Sequence, residues 1–203
     1  MQQIDIDGKP FYPSKVVCIG RNYVEHIKEL NNEVPSQPVI FVKPNSAIFG
    51  QIVCDDSEPV HYEVEISFVI REGEISAVGI GLDLTKRALQ STLKAQGLPW
   101  ERAKAFDKSA VFSDFVSFSG ALQELSLQLF INDKLIQLAN YDLMIHKPAD
   151  IIAEVTTFMS FEDGDLLMTG TPKGVGQVFR NDHFVGRLYN GDTLLVEKQW
   201  TVE

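Results

Sequence analysis

The clearest alternation in the chain runs from Val60 to Ile70. Val60, Tyr62, Val64, Ile66, Phe68 and Ile70 fall on one side, and His61, Glu63, Glu65 and Ser67 on the other. A period of two marks a strand with one buried face. The same reading predicts strands over residues 15–20, 39–43, 78–82 and 166–169, and a last one through Thr193 to Trp200 after Gly191-Asp192. Leu127, Leu129 and Ile131 alternate, Asn132-Asp133 turn and Leu135 follows, which predicts a hairpin over 125–139.

Helical spacing appears in three places. Asn22 is a candidate N-cap for a helix that buries Tyr23, Ile27 and Leu30 and ends near Asn31-Asn32, before Pro35 and Pro38. Residues 85–96 predict a helix with Ala88, Leu89, Thr92 and Leu93 inward, stopped at Gly97. Residues 150–161 predict another, with Ile151, Ile152, Val155, Phe158 and Met159 on its apolar side. Residues 1–13 read as a polar lead turning at Gly8-Lys9-Pro10, and Asp55, Asp56 and Ser57 belong to a loop. Strands outnumber helices in mixed order, without repeat or linker. The expectation is one sheet-dominated α+β domain over 1–203.

Composition narrows the function. The chain has 203 residues, enough for one sizeable core, with 44% hydrophobic and 23% charged residues. Its net charge is -10 and its basic residues are not clustered, which argues against nucleic-acid binding. An anionic substrate must then find a local positive centre. Cys18 and Cys54 sit among apolar neighbours and read as buried thiols in a reducing compartment. The first residues do not form a secretory signal, and no apolar run is long enough to span a bilayer. A cytoplasmic protein, or a mature organellar one, with no membrane partner is expected.

Several residues carry candidate chemistry, each with a plainer alternative. Glu63 and Glu65 lie two apart on one strand face, where like charges repel unless a cation sits between them. A hard divalent ion is one solution and a solvated acidic face is the other. Asp83 ends a strand just before a helix and is either a helix cap or a third oxygen ligand. His26 and Glu29, at i and i+3, form either a surface pair or a dyad in which the carboxylate orients a general base. Lys104 between two alanines is either solvated or aimed at a developing anion. Gly170 to Gly176 is a glycine-dense loop able to present N–H groups to a carboxylate, and it lacks the pattern of a phosphate loop. No Cys pair or His-x-x-x-His suggests zinc.

The order of these features is more telling than any one. Gly20-Arg21-Asn22-Tyr23-x-x-His26, His61-x-Glu63-x-Glu65, Leu82-Asp83-Leu84-Thr85, Gly97-Leu98-Pro99-Trp100 with Ala103 to Asp107, and Thr169 to Gly176 together resemble the fumarylacetoacetate hydrolase family. The small single-domain acylpyruvase and oxaloacetate decarboxylase branch is the nearest in appearance. The resemblance implies a mixed β-sandwich roll and a homodimer. It implies Mg²⁺ or Mn²⁺ held by Glu63, Glu65 and Asp83, and Lys104 as the catalytic lysine. Arg87, Gln90 and Thr171 would face a 2-oxo acid substrate, and His26 with Glu29 would ride on a lid over about 21–34. The activity implied first is hydrolysis of the C–C bond of acylpyruvates. Oxaloacetate decarboxylation and 2-oxo acid tautomerisation are alternatives in the same site, and a non-catalytic metal- or anion-binding domain is the alternative of another class. Two departures stand out. Ala88 occupies a position where relatives often carry Asp, leaving Arg87 one carboxylate fewer to orient it. The connection from Ile70 to Gly79 is also short, where relatives usually hold a helix.

Overall fold

The computed structural model describes residues 1–30, 35–54 and 58–203. The expected helix end near Asn31-Asn32, the last part of the expected lid and the loop at Asp55 to Ser57 lie outside the described residues.

Two sheets face each other. The larger has eight strands among the described residues, in the spatial order Val39–Pro44, Lys15–Gly20, Leu166–Met168, Val64–Arg71, Glu74–Asp83, Ala110–Phe112, Ile48–Phe49, with Val116–Ser117 also paired to Glu74–Asp83. It is mixed: Lys15–Gly20 runs parallel to Leu166–Met168, and Ile48–Phe49 parallel to Ala110–Phe112. The smaller sheet is antiparallel, in the order Lys134–Asn140, Leu125–Ile131, His183–Asn190, Thr193–Thr201. The main core fills the space between them. Val64, Ile66, Phe68, Ile70, Val78 and Ile80 from one side meet Leu127, Leu129, Phe184, Leu188 and Trp200 from the other. This is the expected sandwich.

The alternation from Val60 to Ile70 is confirmed as strand, split into His61–Tyr62 and Val64–Arg71 at Glu63. Its second face is not solvated, however. Glu63, Glu65, Ser67 and Val69 are all buried, because a second apolar layer covers the far side of the large sheet. That layer includes Ile4 and Ile6 of an N-terminal hairpin, Ile4–Ile6 with Lys9–Phe11, so residues 1–13 are not a polar lead and their turn lies at Asp7-Gly8.

The hairpin at Asn132-Asp133 forms as expected, with both residues at positive φ. The short connection after Ile70 is also a tight hairpin, pairing Arg71 with Glu74, so strand rather than helix occupies 74–83. Strand His183–Asn190 has no counterpart in the sequence reading. Its central Gly186 interrupts the apolar pattern and packs closely on the opposite sheet, where an added Cβ would lie 3.0 Å from the Ile80 side chain and push it aside.

Four helices lie outside the sheets among the described residues. Helix α1 is Val24–Glu29, α2 Arg87–Ala95, α3 Glu101–Lys104 and α4 Pro148–Thr156. Helix α1 starts later than expected, with Tyr23 at the cap position and no side-chain cap bond. Asn22 does another job: its amide donates to the His146 and Thr169 carbonyls at 2.9 and 2.8 Å, and its oxygen accepts from His146 N–H at 2.7 Å. Helix α2 buries Gln90 and Leu93 and leaves Ala88 and Thr92 exposed, opposite to expectation for those two alanine and threonine positions. Helix α4 ends at Thr156, so the helical period fails beyond it and Phe158 is 61% exposed instead of inward.

Candidate metal centre and active site

The register of two neighbouring strands brings the acidic residues together. Val64 pairs with Leu82, and the Asp83 N–H donates to the Glu63 carbonyl at 2.9 Å, so Asp83 lies across from Glu63. Glu65 is two positions on, on the same face. Each of Glu63, Glu65 and Asp83 offers a carboxylate oxygen within 4.8 Å of the others, and all three side chains are buried. Asp83 caps no helix. It is a member of this cluster.

Cations surround the cluster. Lys104, at the end of α3, is 3% exposed and not solvated. Its Nζ donates to Glu63 Oε2 at 2.7 Å, Asp83 Oδ2 at 2.6 Å and Thr85 Oγ1 at 2.7 Å, which uses all three N–H bonds. Lys43 is fully buried and pairs with Asp83 Oδ1 at 2.8 Å. It also donates to the Lys104 carbonyl, and to the Ser109 carbonyl at 3.0 Å, tying the segment that carries Lys104 to the edge strand. Arg87 donates to Glu63 Oε1 and to Gln90 Oε1, the latter at 2.9 Å. Glu63 and Gln90 therefore orient Arg87, and Ala88 is exposed away from it.

The charges show what the cluster needs. Burial alone would raise the Glu63 carboxyl, but Lys104, Arg87 and His26 outweigh it and hold it well below the usual range. Burial would lower Lys104, and Asp83 and Glu63 outweigh that to raise it. Glu65 goes the other way: burial, then the charges of Asp83 and Glu63, push it well above the usual carboxylate range. Its Oε2 accepts the Gly170 N–H at 2.6 Å. Three hard oxygen donors at this spacing, one of them still short of positive charge, fit a six-coordinate divalent cation, whose bond lengths of about 2.1 Å allow oxygen separations up to roughly 4.2 Å. The cluster would close slightly around it.

The glycine-dense loop serves the protein's own carboxylates. Gly170 N–H goes to Glu65, and Gly174 N–H goes to Glu29 at 3.0 Å. Glu29 in turn lies 3.2 Å from His26 Nδ1, so the dyad forms and docks α1 onto this loop. Thr171 is 3% exposed, and its hydroxyl accepts from Gln137 Nε2 at 2.9 Å. A substrate carboxylate held here would use Thr171 rather than those two N–H groups.

A cavity of about 40 Å³ lies over the cluster, lined by His26, Glu63, Arg87, Gln90 and Lys104 together with Arg21, Phe41, Lys94 and Trp100. A larger one, about 390 Å³, shares Phe41, Trp100 and Lys104 with it and opens along the edge strand. Of the sequence candidates, Glu29, Glu65, Asp83 and Thr171 do not line the small cavity. The sequence reading missed Lys43, Thr85 and Gln137. For Lys43 a signal existed, since it is the one charge within the apolar edge strand Val39–Pro44.

Gly170 offers a direct check. Its φ is +89°, and an added Cβ would lie 2.8 Å from Asn22 Cβ and 3.2 Å from the Ile19 carbonyl. Gly170→Ala is expected to cost about 2–3 kcal/mol in urea unfolding and to weaken Mn²⁺ binding at least tenfold by withdrawing the N–H from Glu65. Unchanged Mn²⁺ affinity in calorimetry would contradict this.

The sequence comparisons bear on the same residues. The family description "Fumarylacetoacetate (FAA) hydrolase C-terminal" matches residues 15–200, nearly the whole chain. The chain belongs to the fumarylacetoacetate hydrolase family. Among members of that family, it is 40% identical over 195 residues to an oxaloacetate tautomerase of Escherichia coli, covering 84% of this chain and 87% of the relative. It is 37% identical over 194 residues to a mitochondrial oxaloacetate tautomerase of Schizosaccharomyces pombe, covering 86% and 88%. A fumarylpyruvate hydrolase from Pseudomonas aeruginosa, solved in complex with Mn²⁺ and pyruvate, superposes with a TM-score of 0.90 at 28% identity over 99% and 95% of the two chains. The acidic triad and that Mn²⁺ complex indicate a divalent metal for this family member. No helix among the described residues is long and apolar enough to cross a membrane.

Proposed function

We propose that this chain is a metal-dependent enolising enzyme acting on small 2-oxo acids, with keto–enol interconversion of oxaloacetate as its reaction. The observation that carries the reading is Lys104 Nζ, set between Glu63 and Asp83 in a small cavity that His26 also lines. The names of the similar tautomerases support the choice of oxaloacetate. Glu63, Glu65 and Asp83 would hold Mg²⁺ or Mn²⁺. The ion, when bound, supplies Lewis-acid polarisation of the 2-oxo group.

The chain's own residues do the rest. Removing a proton from C3 sends the C–H electron pair into a C2–C3 double bond, and the C2 carbonyl π electrons move onto its oxygen. The Lys104 ammonium stabilises the negative charge that develops there. His26, held by Glu29, accepts the C3 proton and returns a proton to the oxygen, so no atom is lost. Arg87 fixes Glu63, and Gln90 and Thr171 orient the substrate. A homodimer fits the exposed Leu135, Leu138, Phe158 and Phe179, which leave apolar surface uncovered.

Acylpyruvate hydrolysis, the activity implied first by the sequence, is the second reading. The His26–Glu29 pair favours it, because the same base can activate water against the distal carbonyl. Decarboxylation would pass through the same enolate without a base. The test is oxaloacetate ketonisation followed with and without Mg²⁺ or Mn²⁺, in the native chain and in His26→Ala. The native enzyme is expected to be metal-dependent. His26→Ala is expected to lose about a hundredfold in tautomerisation and little in decarboxylation. An equal fall in both would remove the proton-carrying role. No turnover of oxaloacetate or acylpyruvates under either metal would favour a binding domain.

A further inference from the structure

The cavity over the carboxylate cluster is too small for more than the head of a 2-oxo acid. Its volume of about 40 Å³ leaves room for a few water-sized groups. A bulky substituent on C3 must extend into a neighbouring cavity. One neighbour, of about 220 Å³, is polar: Arg87, Gln90, Ser91 and Lys94 line it beside Leu30. The other, of about 390 Å³, is different in kind and falls within the usual size of a small-molecule site. Val39, Phe41, Leu98, Pro99 and Trp100 are among its walls. The charged residues that line it are Glu101 and Lys104, and the Lys104 ammonium is already bonded to Glu63, Asp83 and Thr85.

The edge strand Val39–Pro44 carries one wall from the cluster into this space. Val39, Phe41 and Lys43 alternate onto one strand face, about 6–7 Å apart. Lys43 reaches Asp83. Phe41 lines both cavities, and the Lys104 ammonium lies 5.1 Å from the centre of its ring. Trp100 also lines both cavities. Its ring centre is 6.1 Å from that of Phe41, and the two planes are tilted by 57°. A Cβ added at Gly20 would lie 3.7 Å from the indole and 3.6 Å from Val39, so the ring is backed by the neighbouring strand. Two mutually tilted aromatic rings offer a face and an edge to a third. Leu98 is 46% exposed and completes the wall on the solvent side. An aromatic ring held here would leave water for apolar contacts. A distal carboxylate would instead meet Glu101 and no cation beyond Lys104.

We infer that the 390 Å³ cavity is a subsite for an aromatic substituent on C3, and that the chain also interconverts the keto and enol forms of arylpyruvic acids. The inference rests on the enolising reading above and adds a second substrate class to it. The atoms balance as they do for oxaloacetate. His26 takes a C3 hydrogen as a proton, the C–H electron pair becomes the C2–C3 double bond, and the oxo oxygen receives a proton in return. The ring contributes binding and stays outside the bonds that change.

Phenyllactate and lactate separate binding from turnover, because they differ by the ring and neither enolises. Their affinities for the Mg²⁺-loaded protein are measured by titration calorimetry in the native chain, Leu98→Asp and Leu98→Phe. Ketonisation of phenylpyruvate and of oxaloacetate is followed in the same three proteins. The native protein is expected to bind phenyllactate at least tenfold more tightly than lactate, the scale of burying part of a phenyl ring. Leu98→Asp should remove most of that preference and raise KM for phenylpyruvate about tenfold. Lactate affinity and oxaloacetate turnover should be unchanged in it, which also shows that the variant is folded. Leu98→Phe should keep the preference. Phenyllactate binding no tighter than lactate, a preference that survives Leu98→Asp, or an equal loss for both acids overturns the subsite. Oxaloacetate turned over with no acceleration of phenylpyruvate overturns the added activity and leaves the oxaloacetate reading standing. If neither keto acid turns over while Leu98→Asp abolishes the ring preference, the subsite stands and the enolising reading falls.

Discussion

Lys104→Met is expected to lower turnover of oxaloacetate about a thousandfold, the scale of removing an electrostatic stabiliser from an enclosed site. The Lys104 ammonium makes three hydrogen bonds, two of them to carboxylates of the candidate metal cluster. Methionine keeps the stem and removes the charge, leaving Glu63 and Asp83 facing each other with one cation fewer. Without a divalent ion, the variant is therefore expected to lose about 3–5 kcal/mol of stability, the cost of stranding a buried charge. Saturating Mg²⁺ or Mn²⁺ should restore much of that stability and none of the turnover. Thermal unfolding in EDTA and in excess metal, beside steady-state kinetics in excess metal, reads both effects. Turnover within tenfold of the native enzyme would show that the ammonium does not stabilise the reacting oxygen. A stability loss that metal fails to reverse would show that the three carboxylates do not form the metal site.

The second large effect lies outside the active site. Asp165 →Asn is expected to lower stability by about 3 kcal/mol while leaving the activity of the folded fraction intact. Asp165 precedes strand Leu166–Met168, and its side chain is fully buried. Oδ1 accepts from Ser14 N–H at 2.8 Å, Ser14 Oγ at 2.7 Å and Lys15 N–H at 3.1 Å. Oδ2 accepts from the Lys15 ammonium and from Glu162 N–H at 2.8 Å. These bonds staple the start of Lys15–Gly20 to the parallel strand beside it. Burial raises this carboxyl, but the Lys15 ammonium and the N–H and O–H donors outweigh it and hold it below its ordinary 3.8. A carboxyl depressed in the folded state contributes its full stability above 3.8, and loses it as pH falls through the lower folded value. The gap between native and Asp165→Asn stability should accordingly be full at neutral pH and narrow below about pH 4. Urea unfolding at a series of pH values measures it. A gap that widened on acidification would contradict the assignment.

Much of the site was legible in the chain because it depends on local geometry. Two glutamates two residues apart in a strand must share a face, and His26 and Glu29 three apart in a helix must be neighbours. The hairpin at Asn132-Asp133 followed from residues that tolerate positive φ. Other features were misread because the deciding neighbour is remote. Asn22 looked like a helix cap by its position, yet bonds to His146 and Thr169. Asp165 was passed over because its partners lie some 150 positions away. Phe158 fitted a helical period that the helix does not continue far enough to express.

The sequence by itself determined most of the sandwich's strands, though not His183–Asn190, together with the placing of Glu63 and Glu65 on one strand face and the presence of a His–Glu pair, since each follows from backbone period and spacing over a few residues. Tertiary structure alone decided that the acidic face is buried. That outcome depends on a second apolar layer and on the strand register that sets Asp83 opposite Glu63. It also decided that Lys43 and Lys104 are ion-paired interior groups instead of solvated ones. Whether a lysine lies inside or outside depends on which carboxylates the fold brings to it, and those come from strands and loops far along the chain.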